Sequence, residues 1–454
     1  MTDNENAKPA KWPLAIIAMA TFLSLVVFTL PLTTLDAMTA ALALSPEEQA
    51  WIMSGMPLGA ACGLLTAGAL GDTHGRRRTF VGGLWLTALA SIAAALSPSG
   101  VMLIAMRVMQ GLGSAGIMAC GLGLIGQIYT GPDRRHAAAI WASSIGAGVS
   151  AGPIIASLLL PVGGWPSAHW LIALISALLG VMAMLRLPES PRTGRKVDLP
   201  GSVLLIVGLG ALLSALTEAR LGSVALVVAL AVIGIFLILT FIWVERRVGN
   251  PILQLDLFRL PDFNSATIAA FASGAGVLAL MSMVPTVLVR GLHVAPIAAA
   301  LILVTWSGMT MLSALGARFL PARVSARQWV IVSLFGCGLG QLLLIGIGGD
   351  SSWMIVLPGL FIAGVSNGIL NASLGHEAVQ TVPADRSAMG SAANNTARYL
   401  GSALGIAMIS IMIANMQGEA FFTGWHEAVI VTVGFSLLGA ASMIFLSKRS
   451  VSAA

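Results

Sequence analysis

Apolar residues run uninterrupted along this chain for 18 or more positions, again and again, and the polar and charged positions gather in the short gaps between the runs. A run of that length is what a helix needs to cross a hydrocarbon core of about 30 Å. The pattern predicts fourteen spanning helices, near residues 12–34, 48–70, 79–97, 101–129, 137–161, 168–187, 200–218, 223–244, 263–290, 295–319, 327–347, 353–376, 386–415 and 425–446. The expected class is therefore an all-α polytopic membrane protein. Lys8, Lys11 and Trp12 lead straight into the first run with no small-residue cleavage site, so that run is expected to be retained rather than removed as a signal peptide.

The gaps sort by charge when taken alternately. One set carries Arg76, Arg77 and Arg78, then Arg134 and Arg135, then Arg192, Arg195 and Lys196, then Arg246, Arg247 and Arg259, then Arg318, Arg323 and Arg327, then Arg386, and finally Lys448 and Arg449. The other holds little beyond Arg220 and Arg290, alongside Asp36, Glu47, Glu48, Glu218, Asp350, Glu419 and Glu427. Because basic loops stay on the cytoplasmic side, an even count with this asymmetry puts both termini in the cytoplasm.

Composition agrees. Hydrophobic residues make up 57% of the 454 and charged residues 9%, against about 25% in soluble domains, with a mean hydropathy of +0.92. The 51 glycines suit helices that approach one another closely in lipid. The net charge of +6 is dispersed over short loops, which argues for topology signals and against a nucleic-acid partner. Cys62, Cys120 and Cys337 fall inside apolar runs and read as small core residues. The six histidines show no metal-ligand spacing, and no catalytic set or cofactor motif stands out.

Two halves repeat one another. Gly68 to Arg78 forms a tight basic turn between spans two and three, and Gly316 to Arg327 fills the matching gap between spans ten and eleven. Gly148 and Gly152 of span five are matched by Gly401 and Gly405 of span thirteen. Repeat-built halves are the mark of secondary transporters. We expect a six-helix bundle over 1–187, a linker with two additional helices over 188–261, and a second six-helix bundle over 262–454.

At these residues the chain resembles the major facilitator superfamily, in its fourteen-span drug:proton antiporter branch. Gly68, Leu70, Asp72, Gly75, Arg76 and Arg77 match the signature between spans two and three, with Thr73 where a basic residue is usual. Leu103, Arg107, Gln110, Gly111, Gly113 and Ala115 match the signature of span four. Gly148, Gly152 and Pro153 match the antiporter signature of span five, although Ala156 and Ser157 replace its closing glycines. Val197 to Gly201 and Asn250 to Phe258 are similar to stretches flanking the inserted pair in that branch. The resemblance implies a major-facilitator fold, export rather than uptake, a conformational latch at Gly68, Asp72, Gly75, Arg76 and Arg77, and a monomer.

Charges inside apolar runs are expensive and face a cavity or a partner. Arg107 reads either as a proton-coupling or substrate-orienting group, which the resemblance favours, or as a structural arginine bonded to backbone carbonyls. Gln110 shares its face. Asn394, Arg398, Gly401 and Gly405 form one stripe of span thirteen that packs a neighbour or lines the cavity. Asn367 and Asn371, one turn apart, point inward or bond a neighbouring helix. Met53, with other methionines, is a candidate for a promiscuous cavity or for ordinary apolar packing. The branch commonly carries an aspartate in its first span, where this chain has an apolar residue near Val27. Asp36 and then Glu377 are the candidate proton carriers. The expected activity is proton-driven export of small amphipathic compounds across a bacterial-type inner membrane. A carrier of one metabolite or an uptake symporter of the same fold is the near alternative, and a membrane-embedded enzyme or sensor the distant one.

Overall fold

The computed structural model describes residues 11–190, 198–218, 223–249, 251–321, 323–382, 387–413 and 416–446. Of the loop charges named above, Arg192, Arg195, Lys196, Arg220, Arg386, Lys448 and Arg449 lie outside these residues, as do the side chains of Arg134, Arg135 and Arg318.

The first bundle comprises α1 (Lys11–Thr29) with its continuation α2 (Pro31–Leu42), α3 (Pro46–His74), α4 (Arg76–Ala95), α5 (Gly100–Ile128), α6 (Gly131–Gly163) and α7 (Pro166–Arg186). An inserted pair follows, α8 (Leu199–Glu218) and α9 (Val224–Glu245). The second bundle holds α10 (Pro261–Ala272) and α11 (Ala279–Arg290), joined by a π-helical segment Ser273–Leu278, then α12 (Pro296–Gly316), α13 (Ala326–Leu342), α14 (Val356–Gln380), α15 (Ser387–Ile413) and α16 (Gly418–Phe445). Among the described residues, thirteen helices are long and apolar enough to span a membrane, and α8 supplies a fourteenth, shorter apolar stretch over Pro200–Leu216.

Local chemistry accounts for the helix ends. Ser45 and Glu48 form a reciprocal capping box at the start of α3, with Pro46 in the first turn; Ser325 and Gln328 do the same for α13. The turn expected over Gly68–Arg78 shrinks to one residue: α3 runs to His74, α4 begins at Arg76, and Gly75 joins them at φ +108°, a conformation that disfavours any side chain. Span one divides where Pro31 starts a new helix. Span nine opens into a wider turn at its centre, a feature that apolar periodicity does not encode.

Within the bundles, α3 lies along α5, α4 along α5 and α7, and α1 along α6; in the second, α13 lies along α14 and α16, and α10 along α15 and α16. Lipid tails are as apolar as side chains, so close backbone approach supplies the attraction between helices. A Cβ on Gly148 would collide with the Phe22 carbonyl of α1, and one on Gly152 with the Thr29 hydroxyl. In the second half, Gly401 and Gly405 meet the Phe271 and Ala275 carbonyls in the same way. The repeat extends to charge. Arg77 Nη1, in the first turn of α4, donates to the Leu187 carbonyl at the end of α7 (3.1 Å), and Arg327 Nε, in the first turn of α13, donates to the Met443 carbonyl near the end of α16 (2.8 Å). Each arginine serves a carbonyl left over at a helix C-terminus.

The bundles face one another through α3 against α15, α6 against α12, and α2 against α11 and α12. Ala60, Ala61, Leu64 and Ala67 receive Tyr399 of α15, and Ser150 and Ser307 bond hydroxyl to hydroxyl across the α6–α12 seam at 2.6 Å. The inserted pair packs on itself, and α8 leans on both α3 and α15. α9 turns Val228, Phe236, Leu239 and Trp243 outward, an apolar exposure suited to lipid.

Candidate transport cavity

A cavity of about 290 Å³ separates the bundles, walled by α6, α12, α14 and α15. A second, of about 410 Å³, lies against α3, α5, α6 and α15, and the two share Leu122, Trp141, Ser391 and Asn395. Both occupy the half of the molecule nearer the Arg76–Arg78 end. Into the first cavity the second bundle presents Trp306, Ser307, Thr310, Asn367, Asn371, Asn394 and Arg398. Asn367 Nδ2 donates to Thr310 Oγ1 (3.3 Å), which itself donates to the Gly364 carbonyl (3.2 Å). The indole nitrogens of Trp141 and Trp306 and the amide oxygens of Asn371 and Asn394 are buried without a protein partner. The stripe on α15 divides along its length: Asn394 and Arg398 line the cavity, while Gly401 and Gly405 pack against α10 and the π-helical segment.

Arg107 is elsewhere. Its side chain is fully buried within the first bundle and does not line the described cavities. Nη1 donates to the Val27 carbonyl (2.7 Å) and to Gln110 Oε1 (3.0 Å), Nη2 to the Phe28 carbonyl (3.3 Å) and Nε to the Ile52 carbonyl (3.2 Å). The reason lies in Pro31. A proline four residues on has no N–H to offer the Val27 carbonyl, so that acceptor is free, and the guanidinium takes it. The apolar position near Val27 is thus met through its backbone. Gln110 extends the chain of bonds to Ser91 Oγ (2.9 Å) and His169 Nδ1 (3.3 Å), so α1, α3, α4, α5 and α7 meet in one buried polar cluster. Met53 also sits in the bundle core rather than at a described cavity, because the helices around it are closed against one another in this conformation.

At the basic end the three arginines divide their partners. Asp72 accepts from Arg76 through Nε (3.2 Å) and Nη2 (3.0 Å), while Arg76 Nη1 donates to the Gly123 carbonyl (3.0 Å). Arg77 and Arg78 turn instead to Glu189, at 3.5 and 3.7 Å. Glu189 Oε1 also accepts the Arg77 backbone N–H (3.2 Å), and Ser190 Oγ accepts that of Arg76 (2.7 Å), so both cap the start of α4. Gly68 and Asp72 line the second cavity with Arg76, and nothing lies within 4 Å of the place a Cβ on Gly68 would take. Thr33 donates to the Pro153 carbonyl (3.1 Å), tying α2 to the proline of α6.

The candidate proton carriers do not line the described cavities. On α2, Leu32, Leu35 and Met38 face inward and Asp36 is exposed. Glu377 is buried one turn beyond Leu374, which lines the first cavity.

Sequence reasoning passed over three groups. Glu189 stands two residues after a span end in a stretch read as linker, and its signal was an acid facing an unbalanced set of arginines. His169 is a lone histidine within an apolar run. Asp198 and Glu245 are buried at the base of the inserted pair: Asp198 accepts the Gly201 N–H (2.9 Å), and Glu245 those of Ile252 (3.3 Å) and Leu253 (3.2 Å). The two stretches flanking the pair therefore meet at these carboxyls.

Two six-helix bundles facing one another across a cavity, each built on the same glycine and arginine contacts, define a helical membrane transporter of the repeat-built kind. Residues 17–406 match the family model of the Major Facilitator Superfamily. The chain belongs to that superfamily. It is 30% identical over 371 residues to the multidrug resistance protein Stp of Mycobacterium tuberculosis, covering 80% of this chain and 68% of Stp. It is 29% identical over 409 residues to the uncharacterized transporter YebQ of Escherichia coli, covering 87% and 86%. A crystal structure of the human organic anion transporter MFSD10 (TETRAN) superposes over 96% of this chain and 100% of its own, with a TM-score of 0.64 and 15% identity, a likeness of fold alone.

Proposed function

We propose that this protein is a proton-driven exporter of small amphipathic compounds, working as a monomer in a bacterial-type cytoplasmic membrane with both termini in the cytoplasm. The observation that carries this reading is the cavity between the bundles at the arginine-rich end. By the distribution of basic loops that end is the cytoplasmic one, so the cavity sits where an exporter loads. The likeness to the multidrug resistance protein Stp favours drug-like amphiphiles, and Gly148, Gly152 and Pro153 favour export.

The moving units in this reading are residues 1–187 and 262–454, with 188–261 as a lateral insertion. Asp72 and Arg76 form the latch, reinforced by Glu189 on Arg77 and Arg78; it breaks when α3 and α15 part at this end. Glu377, buried beside the cavity wall, is the first carboxylate to test as proton carrier and Asp36 the second. Arg107 acts by holding α1 and α3 around α5, so that proton or substrate events reach the whole bundle.

Proton release from acid-loaded inverted vesicles, on adding neutral, anionic and cationic amphiphiles, tests the proposal. Wild-type protein should dissipate the gradient with at least one compound, and Glu377→Gln should not. If folded protein moves no protons with any amphiphile, the exporter reading gives way to a carrier of a single metabolite.

A further inference from the structure

We propose that the compounds carried are amphipathic organic anions and that Arg398 is their counter-ion in the cavity; this rests on reading that cavity as the transport site. The argument begins with charge. Among the described residues lining the 290 Å³ cavity, Arg398 is the one charged side chain, and no ion pair or hydrogen bond engages its guanidinium. The adjoining cavity contributes Asp72 and Arg76, which neutralise each other. The described lining is thus net positive. In surroundings of low dielectric a lone cation repels a second cation strongly, and it is itself unfavourable until an anion arrives.

Of the neutral groups, the indoles point the same way, while the amide oxygens take any donor. The indole nitrogens of Trp141 and Trp306 are buried donors with no protein acceptor, and an indole N–H can only donate. Both nitrogens are enclosed by protein in this conformation, that of Trp141 against Gly121 of α5; turned toward the cavity they serve a carboxylate, sulfonate or phosphate oxygen and offer nothing to an ammonium group. The unpartnered Asn371 and Asn394 carbonyls accept hydroxyl or amide groups on the body of the ligand. Ile145, Val149 and Leu278, with the faces of both indoles, accommodate an apolar or aromatic body. A guanidinium fork takes a carboxylate or sulfonate through two parallel bonds. The Arg398 backbone is seated where Gly274 approaches its carbonyl. In a cell with a negative interior, outward passage of such an anion is also electrically downhill.

The test uses two probes that share a skeleton and differ by one sulfonate: anilinonaphthalene sulfonate and N-phenylnaphthylamine, with ethidium as the cation. Binding to purified protein is read by quenching of tryptophan fluorescence, and transport by proton release in reconstituted vesicles. We expect the sulfonate to bind more tightly than the naphthylamine. Arg398→Gln should weaken sulfonate binding roughly tenfold or more while sparing the naphthylamine, and Arg398→Lys should restore part of the loss. Equal sulfonate affinity in wild type and Arg398→Gln, or preference for ethidium, overturns the anion assignment and leaves the exporter reading standing. Arg398-dependent sulfonate binding without proton movement supports the assignment and removes the proton-coupled reading instead.

Discussion

Arg107 illustrates how a single buried charge is held without a counter-ion. Three backbone carbonyls and one amide oxygen share its donors, and the shortest bond goes to the carbonyl that Pro31 leaves without an intrahelical donor. Arg107→Met should leave the Val27 carbonyl and Gln110 unsatisfied and lower stability by about 2–3 kcal/mol, measurable as a lower unfolding midpoint in detergent. Arg107→Lys should recover little, because one ammonium group cannot span carbonyls on two helices in the manner of a planar fork. Full stability in both variants would show that the cluster contributes nothing to holding α1 and α3. Glu189 offers a second test at this scale. Glu189→Ala should loosen the start of α4 by about 1 kcal/mol, since its ion pairs are partly exposed and its main contribution is to the backbone N–H of Arg77. Hydrogen exchange at residues 76–80 would report it.

Among the helices, steric contrast between glycines separates packing from cavity lining. Gly152→Val places atoms where the Thr29 hydroxyl lies and should force α6 off α1, so little folded protein is expected in the membrane. Gly405→Val should do the same between α15 and the segment preceding α11. Gly68→Ala meets open space and should fold as wild type, so any loss of transport in that variant would come from the cavity side of the latch. Yield and melting of the three variants in parallel check the contrast. The π-helical segment explains why α15 and α16 both come close at one level: Gly274 faces the Arg398 carbonyl and Gly276 the Thr432 carbonyl. Neither contact has a signature in hydrophobic periodicity.

For the whole molecule, the prediction concerns relative motion. Ser150 and Ser307 touch across the α6–α12 seam at 2.6 Å between hydroxyls, with Ser307 on the cavity wall. A disulfide formed in the double variant Ser150→Cys, Ser307→Cys should hold the seam closed and stop transport, with activity returning on reduction. Cross-linked protein that still transports would mean that these helices stay together through the cycle. The native cysteines do not interfere, as Cys62, Cys120 and Cys337 are buried.

Much of the architecture was legible along the chain. Length and uniform apolarity determine that these segments must lie in lipid, because a helix there satisfies every backbone group internally while water has no role in holding it. The glycines at 148, 152, 401 and 405 likewise announced close approach, since only a missing side chain admits a neighbouring carbonyl. The partners were not legible. Whether Arg107 or Arg398 met the cavity, which acid took Arg77 and Arg78, and where Asp36 pointed all depended on helices distant in sequence. A periodic pattern says which face of a helix is apolar, but in a bundle surrounded by lipid both the buried and the outward faces are apolar. Only the tertiary packing separates the arginine that binds backbone from the arginine that lines the cavity between the bundles.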